Sequence, residues 1–242
     1  MRTRIRLLTS ILLLAVLAWA GGDPWRTKPY TEWTKFDTDA ILSDSPWAKP
    51  VRVISSWEQP QVSNVENQPT FNRSVANATT GKRQEDKVRV EDFRGVMFFI
   101  IWNSAKTARQ ASVRSALLSG QITPETGDQI LAQQPEGYEV QISGKDMRPF
   151  ALIDENELMQ NTYLQPKKLG AKLGPLRVRF LRNIEGTEVQ TATFVFPKQD
   201  LAGKPTITAD ETKVDFSCKI GKTTLKATFE PRKMIGRDGQ DL

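Results

Sequence analysis

The chain of 242 residues contains no histidine and only one cysteine. Without histidine there is no Ser-His-Asp triad, no imidazole metal ligand and no side chain that titrates near neutrality in its ordinary state. A single cysteine excludes an internal disulfide framework and any cysteine zinc cluster. Ser-x-x-Lys and Gly-x-Ser-x-Gly are both missing, so a serine nucleophile would lack its usual activating partners. Long hydrophobic runs are scarce as well. Beyond residue 20 the longest is Val96 to Trp102, far short of the roughly 20 residues that span a bilayer.

What is present is most specific at the N-terminus. Arg2, Arg4 and Arg6 precede an apolar stretch from Leu7 to Leu17, and Ala18-Trp19-Ala20 places small residues where a signal peptidase reads. Gly21, Gly22, Asp23 and Pro24 then break any helix. This is the pattern of a secretory signal peptide over residues 1–20, with cleavage expected after Ala20 and an uncleaved anchor as the alternative. Cleavage implies a periplasmic or secreted protein with no transmembrane segment. Of the 34 Lys and Arg residues, three lie in this leader, which leaves 31 against 28 Asp and Glu, a net charge of +3. So small an excess argues against nucleic acid as a partner.

Residues 21–57 read as an aromatic helix and a short strand. Thr31 is the expected helix cap, and Trp33, Phe36, Ala40 and Ile41 fall at helical spacing. With Trp25, Tyr30 and Trp47 they form an aromatic set. Either it docks on the main domain, because aromatic rings bury large areas, or it is an exposed face for a carbohydrate or protein partner. Val51 to Ile54 is the expected strand. Residues 58–87, rich in Gln, Asn, Ser and Thr, read as a flexible polar loop. The Asn-x-Ser/Thr pattern occurs there at Asn72 and Asn77.

The main domain is expected over 88–242. Gly95 to Trp102 is apolar without alternation, which predicts a central strand covered on both faces. A helix follows, capped by Asn103 or Ser104, with Ala105, Ala108, Ser112 and Val113 on its inner stripe. Thr123-Pro124-Glu125 opens a second helix, on which Ile130 and Leu131 face inward. Tyr138, Val140 and Ile142 alternate as a strand, and a strand–helices–strand order allows a parallel pair. Residues 154–161 suit a short helix.

After residue 174 the period becomes two, and four antiparallel strands are expected. Val214, Phe216, Cys218 and Ile220 precede Gly221-Lys222, and Leu225, Ala227 and Phe229 follow. A two-residue turn at Gly221 sets Ile220 opposite Thr223, Cys218 opposite Leu225, Phe216 opposite Ala227 and Val214 opposite Phe229. All the apolar residues then share one face, and a one-residue slip would mix them with polar ones. The expected fold class is α+β: a mixed sheet with two packed helices, then about four antiparallel C-terminal strands.

Few residues carry chemistry. Cys218 lies on the apolar face of the hairpin and reads as a small buried hydrophobe. Asp37-Thr38-Asp39 and Asp154-Glu155-Asn156-Glu157 are oxygen-rich, but both lack the glycine and terminal Glu of an EF-hand loop. No metal and no cofactor is expected. Glu136, Asp154, Glu155 and Glu157 are the candidate pair-forming acids of a carboxylate-based hydrolase. Lys106, Arg109 and Arg114 share the polar side of the first domain helix, and Arg177, Arg179 and Arg182 flank the next strand region. They form either a solvated face or a site for an anionic partner. The candidate contact residues are therefore Trp25, Trp33, Trp47, Lys106, Arg109 and Arg114.

Lys28-Pro29-Tyr30-Thr31-Glu32-Trp33-Thr34, Asp44 to Lys49, Tyr163 to Lys167 and Phe196 to Asp200 together resemble a group of uncharacterised exported bacterial proteins. The opening helix is distantly similar to the GWxTD-domain group, although the Gly-Trp-x-Thr-Asp signature is absent. The resemblance implies export and carries no activity to any residue. The leading functional expectation is an exported, non-enzymatic protein that binds a protein or an envelope component. The alternative is a hydrolase of envelope glycans.

Overall fold

The structure is a computed structural model that describes residues 23–53, 95–208 and 210–242. Residues 1–20, the expected signal peptide, the polar stretch 58–87 and both Asn-x-Ser/Thr sites lie outside the described residues. The fold is α+β, as expected. Among the described residues ten strands form a five-stranded sheet, a three-stranded sheet and a two-stranded hairpin.

The five-stranded sheet has the order β1-β2-β3-β6-β5. Its members are β1 (Ala48–Val53), β2 (Val96–Trp102), β3 (Tyr138–Gly144), β5 (Arg177–Arg182) and β6 (Val189–Phe196). The three-stranded sheet runs β4 (Thr162–Pro166), β7 (Val214–Ile220), β8 (Thr223–Phe229). A last hairpin joins β9 (Ile235–Gly236) to β10 (Gly239–Gln240). Every pairing is antiparallel. The expected parallel pair is therefore absent from the described sheets: β2 and β3 run in opposite directions, with Ile100 opposite Ile142. The helices between them return the chain to the near end of the sheet instead of crossing over.

The hairpin β7–β8 adopts the register read from the sequence, from Ile220↔Thr223 to Val214↔Phe229. Gly221 has φ +55°, a left-handed conformation that glycine adopts without steric cost. Two other expectations change. β2 is an inner strand, as predicted, but the edge beside it is taken by β1 from the N-terminal segment, which was expected to precede the main domain. In β2 only one face is fully buried: Phe98, Ile100 and Trp102 are covered, while Met97 is exposed and Phe99 half-buried. The residues before the polar stretch thus pair into the main sheet instead of preceding it.

The core lies between the sheets. Phe216 on β7 sits edge-on or tilted against Phe194 and Phe196 on β6, with ring centroids 6.0 and 6.3 Å away. Trp102 packs on Phe229 at 5.2 Å and on Tyr138 at 5.5 Å. Edge-on aromatic pairs add to the area term that drives this layer together. The α-helices among the described residues are α1 (Pro24–Thr27), α2 (Lys35–Ser43), α3 (Lys106–Leu118), α4 (Pro124–Ala132), α5 (Arg148–Leu152) and α6 (Glu155–Gln160). Phe150 of α5 covers Phe98 at 6.3 Å, and Leu158 of α6 is fully buried. Thr123 caps α4 with Pro124 at its first position, as expected, yet Gly127 is its buried residue and Ile130 is partly exposed.

The N-terminal helix starts later than expected. Tyr30–Glu32 is a 3-10 turn, and α2 begins at Lys35. Its cap is Thr34, whose hydroxyl accepts from the Asp37 amide while the Asp37 carboxylate accepts from the Thr34 amide. That reciprocal box outcompetes Thr31, which has no partner three residues on. The shift rotates the helix, so its buried residues are Asp37, Thr38 and Ile41, and Phe36 points to solvent at 82% exposure.

Candidate ligand-binding clefts

The N-terminal segment, the first turn of α3 and the C-terminal hairpin enclose a cleft of about 170 Å³. Trp25, Tyr30 and Trp33 line one side, Lys106, Thr107 and Gln110 a second, and the run Gly236 to Asp241 the third. The walls are fixed from within. Trp33 donates its indole N–H to the carbonyls of Pro24 and Lys28 at 3.2 and 3.3 Å. Arg114 donates from Nε to the Trp33 carbonyl at 2.8 Å. Trp47 is fully buried, packs edge-on against Trp25 at 5.6 Å and donates to the Asp241 carbonyl at 2.9 Å.

The C-terminal wall is held by an unusual cap. Ala105 precedes α3 and offers no side-chain acceptor. Asp241 takes that role from the other end of the chain: Oδ1 accepts from the Lys106 amide and Oδ2 from the Thr107 amide, both at 2.6 Å. A carboxylate here satisfies two orphan donors and faces the positive end of the helix dipole. Neither Asn103 nor Ser104 caps the helix. The hairpin must approach closely for this, and a Cβ on Gly236 would lie 2.7 Å from the Thr107 hydroxyl.

Two lysines of the cleft are paired. Lys106 pairs with Asp238, and its hydrogen bond and positive charge hold the Asp238 carboxyl below its ordinary pKa. Lys28 pairs with Asp37 at 3.3 Å. Burial works against ionisation of Asp37, but the Thr34 amide and hydroxyl and the Lys28 ammonium outweigh it and lower its pKa. One donor is left over. The Trp25 indole N–H is buried and has no acceptor among the described residues. A buried, unpaired N–H is costly unless a water or a ligand satisfies it.

The six candidate contact residues do not form one surface. Trp25, Trp33 and Lys106 meet in the cleft, with both indoles sunk in its wall and not displayed as a patch. Trp47 lies behind them, and Arg114 is a tether for Trp33. Arg109 belongs elsewhere: its guanidinium donates to the carbonyls of Ile130 and Leu131, which α4 leaves free at its C-terminus. The expected common basic face is thus divided into separate structural contacts. Arg177 and Arg179 behave alike, paired with Glu136 and Glu139. Sequence reasoning missed Asp241, because a cap 135 residues from its helix leaves no local pattern.

A second, longer depression lies on the open face of the five-stranded sheet. Two adjoining parts, about 430 and 420 Å³, share Ser112 of α3 and Gln141 of β3 in their walls. Their floor is Phe99 and Ile101 of β2 with Glu139, Gln141 and Ser143 of β3.

The hydrolase acids are scattered. Asp154 caps α6 by accepting from the amides of Asn156 and Glu157, and Glu136 lies at the groove rim. Glu155 and Glu157 stand on α6, outside the two depressions. The Cys218 thiol is pushed up to about 12 by burial, with a Thr162 hydrogen bond opposing the shift. At neutral pH it is a thiol, not a nucleophilic thiolate. Among the described residues no group of three or more Cys, Asp or Glu side chains is placed to hold a metal ion. No helix among them is long and apolar enough to cross a membrane. Comparison with protein-family models, curated proteins and solved structures finds no match in any of the three.

Proposed function

We propose that this is an exported, non-enzymatic binding protein whose cleft between the N-terminal aromatic segment and the C-terminal hairpin takes a small polar ligand. The leader-like residues 1–20 support export. The observation that carries the binding role is Trp25, which lines the cleft and whose buried indole N–H lacks an acceptor among the described residues. The ligand supplies that acceptor. At about 170 Å³ the space is close to the roughly 150 Å³ cavity that holds a benzene ring. The occupant is therefore one ring or one side chain in size, with an oxygen or nitrogen acceptor directed at Trp25.

The test is a thermal-shift screen of the full chain against single amino acids, monosaccharides and nucleosides. A ligand of the cleft raises the melting temperature of the wild type and loses at least most of that effect in Trp25→Phe, which keeps the ring and removes the donor. A screen in which no compound acts, or in which Trp25→Phe responds like the wild type, contradicts the reading. Export is tested by the intact mass of the natively expressed protein in cell fractions. A soluble species lacking residues 1–20 is expected, and a full-length species in the membrane fraction contradicts it.

A further inference from the structure

The open face of the five-stranded sheet differs from an ordinary solvated face in how its polar groups are used. Each charged side chain along the groove has a partner. Arg179 holds Glu139, Arg177 holds Glu136, Arg109 bonds the end of α4, and Asp39 pairs with Lys35 at 2.7 Å. Of the neutral groups, Ser43 and Ser112 bond helix carbonyls and Asn103 donates to Glu139, while four others are left without partners. Gln141 and Ser143, half-buried on the floor, make no side-chain hydrogen bond among the described residues, and neither do Gln133 and Gln134 on the rim. Beside them half-buried Phe99 supplies an apolar patch, with Ile101 buried next to it on the same face of β2.

We infer that this groove is a binding site for an uncharged oligosaccharide, separate from the cleft at Trp25. Three features select that chemistry. An anionic ligand finds no unengaged cation, since each arginine is already bonded. An extended peptide cannot add to the floor as a strand, since β2 and β3 are inner strands paired on both sides. A neutral polyhydroxylated chain matches what remains: amides and hydroxyls that donate and accept, next to an apolar ledge for the C–H face of a ring. Each half of the groove falls within the roughly 300–1,000 Å³ usual for ligand sites. From Glu139 to Ser143 the floor extends about 13 Å along the strand, more than a single ring requires.

The experiment is calorimetric titration of the full chain with maltohexaose, cellohexaose and chitohexaose, and with polygalacturonate as an anionic control. At least one neutral hexasaccharide binds, and polygalacturonate does not. Gln141→Leu weakens that binding about three- to tenfold, as expected for one neutral hydrogen bond. Gln134→Ala, on the exposed rim and harmless to folding, weakens it in the same direction. Trp25→Phe leaves it unchanged, which separates this site from the cleft. The inference is overturned if none of the neutral saccharides binds or only polygalacturonate does. It is equally overturned if both glutamine variants bind as the wild type, or if Trp25→Phe abolishes binding.

Discussion

The two faces of the five-stranded sheet are built from alternate residues of the same strands, yet they do opposite things. On one face Phe98, Ile100, Trp102, Val140, Phe194 and Phe196 are buried against the three-stranded sheet and α5. On the other, Phe99, Gln141 and Ser143 line an open groove. The first face contributes stability through area and packing. The second carries Gln141 and Ser143, whose side chains make no hydrogen bond among the described residues. Strands have a period of two, so a single sheet can assign folding to one parity and binding to the other.

The comparison breaks most sharply at Phe216, the ring shared by Phe194 and Phe196. Phe216→Ala is expected to cost about 3–5 kcal/mol of stability in urea unfolding, the range for deleting a buried aromatic ring. A cost below about 1 kcal/mol would mean that the sheets are not held by this layer. The next effect is smaller and lies at the chain's end. Asp241→Ala removes both cap bonds of α3 and is expected to cost about 1–2 kcal/mol. It should also loosen the C-terminal wall of the cleft, read as faster amide exchange at Lys106 and Thr107.

Thr34→Ala removes one half of the capping box and is expected to cost about 1 kcal/mol. Asp37 adds a pH signature. Its pKa is lowered on folding, so its contribution is complete above the ordinary value of 3.8 and is lost as pH falls below it. Melting temperatures of the wild type and Asp37→Asn should therefore differ at pH 6 and converge below pH 3.8. A constant gap across that range would contradict the role given to the carboxylate.

Legibility in the sequence followed the range of the interaction. The β7–β8 hairpin was readable to the residue, because alternation and Gly221 fix its register within a few positions. The α4 start was readable from Thr123-Pro124 for the same reason. The position of β1 was not, since its partner β2 lies beyond the whole polar stretch, and nothing local says which strand a short edge strand joins. The apolar run in β2 suggested two covered faces, but Met97 and Phe99 are apolar residues of the open side. At the cleft, Trp25, Trp33 and Lys106 do come together, with both indoles buried and Lys106 exposed. Asp241 escaped notice because its cap is made entirely by tertiary contact. The groove was half legible: Tyr138, Val140 and Ile142 facing inward already implied that Gln141 and Ser143 face out. That α2 and α3 wall them in was not.

The smallest expected effect is also the most direct test of the division between faces. Gln141 has no partner to lose, so Gln141→Leu should leave the urea midpoint within about 0.5 kcal/mol of the wild type or raise it slightly. That result keeps Gln141 free for a ligand. A loss of 2 kcal/mol or more, on the order of breaking a buried polar network, would show that the open face holds the fold together and would contradict the account.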